Sequence, residues 1–161
     1  ISPFNTALET GVRSTVILLS VYPESLDLQR LVKYDYLVVH SADAGGPPSL
    51  HPPLPLRSGE LLVRRGLIER ALHLMMSRGL VDRHISDDGI SYSAGDPAAA
   101  FLNSLVSPYV AQLRDRAAWV SARFGLSSDQ ELADHVRKFY QHWSTEFYPI
   151  ERPTSQLEMF S

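Results

Sequence analysis

The clearest pattern of apolar and polar positions runs from Ser58 to Tyr92. Ser58 is a candidate N-cap and Gly79 a candidate C-cap for a helix of about twenty residues between them. Its apolar positions repeat at helical spacing: Leu61, Ile68, Leu72, Met75 and Met76. Two short apolar runs then flank Ser86-Asp87-Asp88-Gly89, where the Asp-Gly pair favours a turn. The pattern therefore predicts a long helix that leads directly into a β-hairpin.

Two shorter helical patterns precede this unit. The first follows Asn5, a candidate cap, and ends before Pro23. Its apolar residues recur three or four positions apart: Leu8, Val12, Val16 and Leu19. Gly11 lies inside this pattern, where glycine costs up to about 1 kcal/mol relative to alanine. It therefore indicates either close helix packing or local weakness.

The second pattern begins at a cap formed by Ser25 or Asp27 and shows its apolar face at Leu28, Leu31 and Val32. We predict that this helix ends near Lys33, because a longer helix would bring Asp35 onto the apolar face. Residues 36–39 then fit either a short extended piece or a buried last turn. Together with the long helix and its hairpin, these patterns predict a winged-helix-like domain over residues 1–95.

After the hairpin, the chain is helical again to about residue 148. Asp96-Pro97 is a helix start, and Pro108 must break or kink the helix that follows. Two further apolar stripes have steps of three and four: Leu113, Ala117, Val120 and Phe124, then Leu132, Val136, Phe139 and Trp143. We predict a C-terminal helical extension over residues 96–148 and a flexible tail over residues 149–161. The predicted fold class is mostly α with a small β-hairpin.

Composition narrows the functional classes. The chain has 161 residues, of which 44% are hydrophobic, which is enough to build a core. Its formal charge of -3 argues against a general nucleic-acid-binding surface, which needs clustered positive charge. The chain has no cysteine, which excludes disulfides, thiolate zinc sites and thiol catalysis. The apolar runs are too short to span a bilayer and no signal peptide is recognisable, so we expect a cytoplasmic protein without a membrane partner.

Residues 44–57 form a Pro-rich loop between the second and third helices. Five of the eleven prolines lie within nine positions, so no regular element is expected there. The loop is either an extended connection or a contact surface for a partner or ligand, in which case its candidate contacts are His51, Pro52 and Pro53. His40, Asp43 and His51 lack the i, i+4 spacing of a helical metal site. We therefore predict no metal and no other cofactor.

The segment from Arg57 to His84 contains six arginines and is locally positive. Four residues gather on the face of the long helix opposite its apolar stripe, and only Arg70 among them carries a fixed charge. A DNA-reading helix presents several Arg, Lys, Asn or Gln side chains. Asp87 and Asp88 at the hairpin tip would repel phosphate. We therefore predict that Arg57, Arg64 and Arg65 contact a partner. The candidate DNA contacts are Arg70, Arg78 and Arg83.

Several segments carry a family resemblance: Phe4 to Arg13, Tyr22 to Leu31, His40 to Pro53 and Arg57 to Arg65. Over roughly residues 4–147 the chain resembles the middle component of bacterial ABC-three-component systems, which are related to the Lamassu-type defence operons. The Pro-rich loop and its flanks are the most specific part of this resemblance. It implies a small non-enzymatic subunit that works beside an SMC-like ABC ATPase and an effector, commonly a nuclease, in defence against phage or plasmid DNA. It implies no catalytic residues.

The C-terminal residues include three large apolar side chains that a solvated tail has no reason to carry: Leu157, Met159 and Phe160. We interpret them as a docking segment for a partner. No nucleophile elbow, phosphate loop or metal motif is recognisable, so we expect no catalysis. The prediction is a non-catalytic bridging or regulatory subunit that reaches DNA only through its complex. The alternative is a winged-helix DNA-binding transcriptional regulator, which would dimerise alone and bind a defined duplex.

Overall fold

The computed structural model of the chain describes residues 6–52 and 58–147, and it describes the backbone alone for residues 58–60 and 140–147. The helices are α1 Ala7–Ser20, α2 Leu28–Val39, α3 Ser58–Ser77, α4 Ala98–Ser104, α5 Pro108–Phe124 and α6 Asp129–Phe147. The strands are β1 Leu26–Asp27, β2 Val81–Ser86 and β3 Gly89–Ala94. The prediction of a mostly α fold with a small β-hairpin is confirmed. None of the helices in the described residues is both long enough and apolar enough to cross a membrane.

The hairpin forms where the pattern predicts it and gains a third strand. β2 and β3 pair antiparallel around the predicted turn, with Ile85 opposite Ile90. β1 adds to the other edge of β3, where Leu26 lies opposite Tyr92, so the strand order is β1-β3-β2. β1 was not predicted, because two residues are too short to show a strand period.

The second helix is longer than predicted. The side chain of Asp27 accepts a hydrogen bond from the Arg30 amide, which confirms it as the cap, but α2 continues to Val39 rather than ending near Lys33. The expected end was wrong because Asp35 does lie on the buried face, where two arginines neutralise its charge. Residues 36–39 are the buried last turn of α2, which was one of the two open alternatives.

α1 and α3 cross closely in the centre of the molecule. A Cβ atom at Gly11 would lie 2.7 Å from the side chain of Met75, so the glycine permits close packing, as one of the two interpretations held. The apolar stripe of α3 is buried at Ile68, Leu72 and Met75, and Arg70 on the opposite face is exposed. The cap of α1 is Thr6, while Asn5 lies outside the described residues.

The C-terminal helices share the core of the N-terminal unit. The predicted stripe of α5 is buried and belongs to the same apolar cluster as the cores of α1, α2 and α3: Leu113, Ala117, Val120 and Phe124. α4 ends at Ser104, and Pro108 is the first residue of α5, where its missing N–H costs nothing. Ser128 and Glu131 form a capping box at the start of α6 through bonds of 3.1 and 2.8 Å. The division near residue 95 and the tail over 149–161 stay predictions, and the side chain of Trp143 lies outside the described residues.

The first part of the Pro-rich loop is folded back onto the helices. After a short 3-10 helix, Ser41–Ala44, the amides of Leu50 and His51 donate to the carbonyl of Val39. The guanidinium of Arg116 on α5 donates twice to the carbonyl of Pro48. Trp119 of α5 packs on the loop, because a Cβ at Gly46 would lie 2.5 Å from its ring. Residues 53–57 of the loop lie outside the described residues.

The contact between Gly46 and Trp119 predicts opposite effects for two glycine substitutions. Gly46→Ala should destabilise the chain by about 1–3 kcal/mol, because the added methyl overpacks the loop against the indole ring. Gly66→Ala, a matched change inside α3 where the nearest atom is 3.6 Å away, should stabilise it by about 0.5–1 kcal/mol. Urea unfolding followed by tryptophan fluorescence measures both, and equal effects from the two changes would contradict this packing.

Candidate functional site

The strongest polar feature of the molecule is a buried ion cluster centred on Asp35 of α2. Nε of Arg13, from α1, donates to Oδ1 of Asp35 at 2.6 Å, and Nη2 donates to Oδ2 at 3.2 Å. Nη1 of Arg64, from α3, donates to the same Oδ2. Asp35 is fully buried and the Arg13 side chain is 2% exposed. One carboxylate therefore joins the three helices of the N-terminal unit.

The charges of this cluster stabilise one another. Burial by itself would raise the pKa of Asp35, but the nearby charges of Arg13 and Arg64 outweigh it and hold that pKa below its usual value. Burial likewise opposes the charge on Arg13, yet Asp35 raises the pKa of Arg13 above its usual value. Removing one member would leave an uncompensated buried charge, which costs far more than losing a surface pair.

A row of aromatic side chains continues from the ion cluster. The ring of Tyr36 lies 5.2 Å from that of His40, and the His40 ring lies 6.2 Å from that of His51. Nε2 of His51 lies 2.6 Å from the hydroxyl of Tyr109, on α5. The hydroxyl of Tyr36 donates to Asp43 at 2.6 Å. The polar groups of α2, the Pro-rich loop and α5 are thus joined through one network.

Both histidines in the row are neutral at physiological pH. Burial, reinforced by the charge of Arg64, lowers the pKa of His40 to about 4. Burial, reinforced by the charge of Arg13, lowers the pKa of His51 to about 4. The candidate metal ligands His40, Asp43 and His51 are held in these internal contacts. Within residues 6–52 and 58–147, no three histidines or acids come together as a group that could hold a metal ion.

Two predicted partner contacts lie in this network rather than on the surface. The side chain of Arg64 is 15% exposed and bound to Asp35, and His51 is 8% exposed. The roles of Arg13, Asp35 and Tyr109 in this network were not predicted from the sequence. Two features of the sequence could have indicated the cluster. Arg13 lies inside the apolar first helix, and Asp35 would fall on the apolar face of the second helix.

The outward surface of α2 and the beginning of α3 is different in character. Leu62 is 71% exposed, and Arg65 is exposed one turn later. Both line a shallow cavity of about 220 Å³ together with Leu61, Gln29, Val32 and Lys33. This patch, which we call the α2/α3 surface, combines exposed apolar area with two cations. Such a surface is typical of protein contact sites.

The other predicted contacts are distributed over the molecule. Pro52 is exposed at the last described residue of the loop. Arg70, Arg78 and Arg83 are exposed on α3, just after α3 and on β2, and Asp87 and Asp88 are exposed at the hairpin tip. The remaining candidates lie outside the described residues: Pro53, Arg57, Leu157, Met159 and Phe160.

Comparison with known families decides the identity of the chain at the family level. The sequence model of the ABC-three component (ABC-3C) system Middle Component 2 matches residues 3–146. The chain belongs to this family. No curated protein and no solved structure matches the chain.

Family membership indicates that the ion cluster supports a protein that works with partners. The match covers all the elements that build the cluster and the α2/α3 surface, from α1 to α6. A middle component is one part of a system of several components, so this protein has protein partners. Its functional surfaces are therefore expected among exposed groups, while the buried cluster holds the helices that present them.

The ion cluster generates a stability prediction. Asp35→Asn should destabilise this middle component by about 3–5 kcal/mol, because two arginines would lose their buried counter-charge. Asp134→Asn, which removes an exposed pair with Arg137, should leave the unfolding free energy unchanged within error. Urea unfolding measures both. An Asp35→Asn chain as stable as the wild type would show that the cluster does not hold the helices.

The two buried histidines predict a loss of stability in mild acid. Their folded pKa of about 4 lies below the ordinary value of 6.5, so the unfolded chain binds more protons between these values. The free energy of unfolding should therefore fall as pH decreases from 6.5 to 4, by up to about 1.4 kcal/mol per pH unit for His40. Asp35 stays ionised in this window, because its pKa is lowered.

Urea unfolding at several pH values between 7.5 and 4 tests this dependence. The slope should be smaller in His40→Gln, which removes one of the two titrating groups. It should persist in His73→Gln, whose side chain is exposed on α3. A stability that is constant between pH 6.5 and 4.5 would contradict the prediction.

Proposed function

We propose that this middle component is a non-catalytic subunit that bridges an SMC-like ABC ATPase and an effector, commonly a nuclease, in Lamassu-type defence against phage or plasmid DNA. The observation that carries the proposal is the α2/α3 surface, where Leu62 is exposed beside Arg65 and Lys33. A partner that covers an exposed apolar side chain removes apolar surface from water, and this burial stabilises the complex. Family membership supports the proposal, because it implies protein partners.

The chemistry of this surface defines the partner segment. Leu61 and Val32 supply part of the apolar lining of its cavity, and Arg65 and Lys33 supply the charged part. A complementary segment carries one or two apolar anchors flanked by carboxylates. Arg64 is held inside by Asp35, so Arg65 is the member of the pair that reaches a partner. Further proposed contacts are Pro52, Pro53, Arg57, Leu157, Met159 and Phe160.

The arrangement of elements supports a winged-helix-type domain at residues 1–95. Over the described part of this range, the order is helix, strand, helix, helix and a two-stranded wing, and the first strand pairs with the second wing strand. In this interpretation, the helices after residue 95 are an extension that packs on α1 and α2, and the proposed tail over residues 149–161 lies outside the described residues. The domain buries one face of α3 and leaves the opposite face exposed, which suits that face to contact other subunits.

A catalytic role is not part of the proposal. Asp35, whose pKa is lowered, and Arg13, whose pKa is raised, are paired with each other inside the molecule. His40 and His51 are buried and neutral, so neither faces solvent as a general base. Structural ion clusters shift pKa values as active sites do, and this arrangement fits the structural case. The proposed location is the cytoplasm, where phage and plasmid DNA would be met.

DNA contact is proposed to occur through the complex. Arg70, Arg78 and Arg83 are exposed, and they are the candidate groups for it. The carboxylates of Asp87 and Asp88 are exposed at the tip of the hairpin, where a wing of a DNA reader would approach phosphate. With a formal charge of -3, the isolated chain is expected to bind duplex weakly.

Co-purification of an ABC ATPase component with this chain, expressed from its native operon, tests the bridging role. Leu62→Asp with Arg65→Glu should reduce capture of the ATPase at least tenfold, because it removes the apolar anchor and reverses the charge of the α2/α3 surface. The matched control is Leu126→Asp with Arg123→Glu, which changes the same residue types at exposed positions in the last turn of α5 and just after it. The control should assemble normally, and circular dichroism should show both variants folded.

Two outcomes would contradict the proposal. Undiminished capture by the Leu62→Asp, Arg65→Glu chain would remove the α2/α3 surface from the interface. Tight binding of the isolated chain to one duplex sequence at physiological salt, lost on changing Arg70, Arg78 and Arg83 to glutamate, would favour the transcriptional regulator instead.

A further inference from the structure

An open apolar groove runs along α1, between α4 and the start of α5. It consists of two adjoining cavities of about 480 and 400 Å³, which share Leu8, Val12 and Leu105. Leu8 is 56% exposed and Val106, at the rim, is 97% exposed. We propose that the C-terminal segment of this same chain, Leu157 to Phe160, occupies this groove in the isolated protein. The inference does not rest on the proposed function.

The direction of α6 brings the C-terminal segment toward the groove. Arg30 and Asp129 join the first turns of α2 and α6 through a pair 2.8 Å apart. The ring of Phe139 lies 6.3 Å from that of Tyr36, later on both helices. The two helices therefore run side by side in the same direction. α6 continues for a further eight residues to Phe147, about 12 Å, on the side where α2 ends.

The row of aromatic rings gives an upper limit for the distance to the groove. From Tyr36 the row passes through His40 and His51 to Tyr109, which lines the groove. The rings of Phe139 and Tyr109 are therefore at most about 24 Å apart. Phe147 lies about 12 Å beyond Phe139 along α6, so it is within roughly 36 Å of Tyr109. Phe160 follows Phe147 by thirteen positions, which span roughly 43 Å when extended, so the segment is long enough to reach the groove from the end of α6.

The chemistry of the groove suits this segment. Leu157, Met159 and Phe160 are large and apolar, and the groove offers them apolar walls from Phe101, Leu105 and Val110. The groove has Glu9 in one cavity and Arg78 in the other. Glu158 would be attracted to Arg78 and repelled by Glu9, which orients the segment along the groove. A partner's segment would have to displace this one before it could use the groove.

A peptide of residues 153–161, labelled with fluorescein at its N-terminus, tests the proposal on the full chain. Its anisotropy is measured during titration with the wild-type chain and with the Leu157→Asp, Phe160→Asp chain. A tethered segment acts at an effective concentration in the millimolar range, so it should exclude the peptide from the wild-type groove. The peptide should therefore bind the Leu157→Asp, Phe160→Asp chain at least tenfold more tightly than the wild type.

Two further changes made in the Leu157→Asp, Phe160→Asp chain locate the binding. Adding Leu8→Glu and Val106→Glu should abolish peptide binding, because both side chains lie at the groove and are exposed enough to be changed without unfolding. Adding Leu126→Glu should leave peptide binding unchanged, because Leu126 is equally apolar and fully exposed but does not line the groove. Thermal melts verify that each variant is folded.

Amide hydrogen exchange provides a second readout on the isolated chain. Residues 99–113 should exchange more slowly in the wild type than in the Leu157→Asp, Phe160→Asp chain. Equal exchange, or no peptide binding to the Leu157→Asp, Phe160→Asp chain, overturns the proposal. If slow exchange of residues 99–113 is lost only when residues 1–5 are deleted, the N-terminal residues occupy the groove. That result also overturns the proposal. These measurements involve no ATPase, so their failure is distinct from failure of the bridging role.

Discussion

The fold depends on the charge balance around a single carboxylate. Asp35 is fully buried, and it is tolerated only because Arg13 and Arg64 neutralise it from two other helices. A well-packed apolar trio would be equally stable in principle, since burying charges costs desolvation energy. What the ion cluster adds is geometry, because the bidentate bond to Arg13 fixes how α1 lies against α2. The third helix is fixed by the bond from Arg64.

The aromatic row next to this cluster explains how the Pro-rich loop packs on the helices over residues 45–52. His51 is bound to Tyr109, and its ring lies beside that of His40 at the end of α2. The loop also packs on α5, where Gly46 gives space to Trp119 and Pro48 accepts from Arg116. The C-terminal helices are therefore anchored to the N-terminal unit through polar contacts as well as through the shared core. Rigid support of this kind leaves exposed surfaces in defined positions.

A middle component must combine an internal framework with surfaces for other proteins. In this chain Arg13 and Arg64 bind Asp35 in the interior, whereas Arg65 and Lys33 lie beside exposed apolar area. Neighbouring arginines in the sequence, Arg64 and Arg65, thus have different roles, because they point about 100° apart around α3. The division follows from helical geometry and from the position of Asp35.

Most of the helices and the hairpin can be predicted from the sequence, since helical and strand periods are local properties. The stripe of α3, the hairpin around Asp88-Gly89 and the capping box at Ser128 all follow from neighbouring residues. The length of α2 and the roles of Arg64 and His51 become apparent only in the three-dimensional structure. Those depend on partners far along the chain, because whether a charge can be buried is set by the groups that surround it in space. The two-residue strand β1 likewise exists only because β3 is there to pair with it.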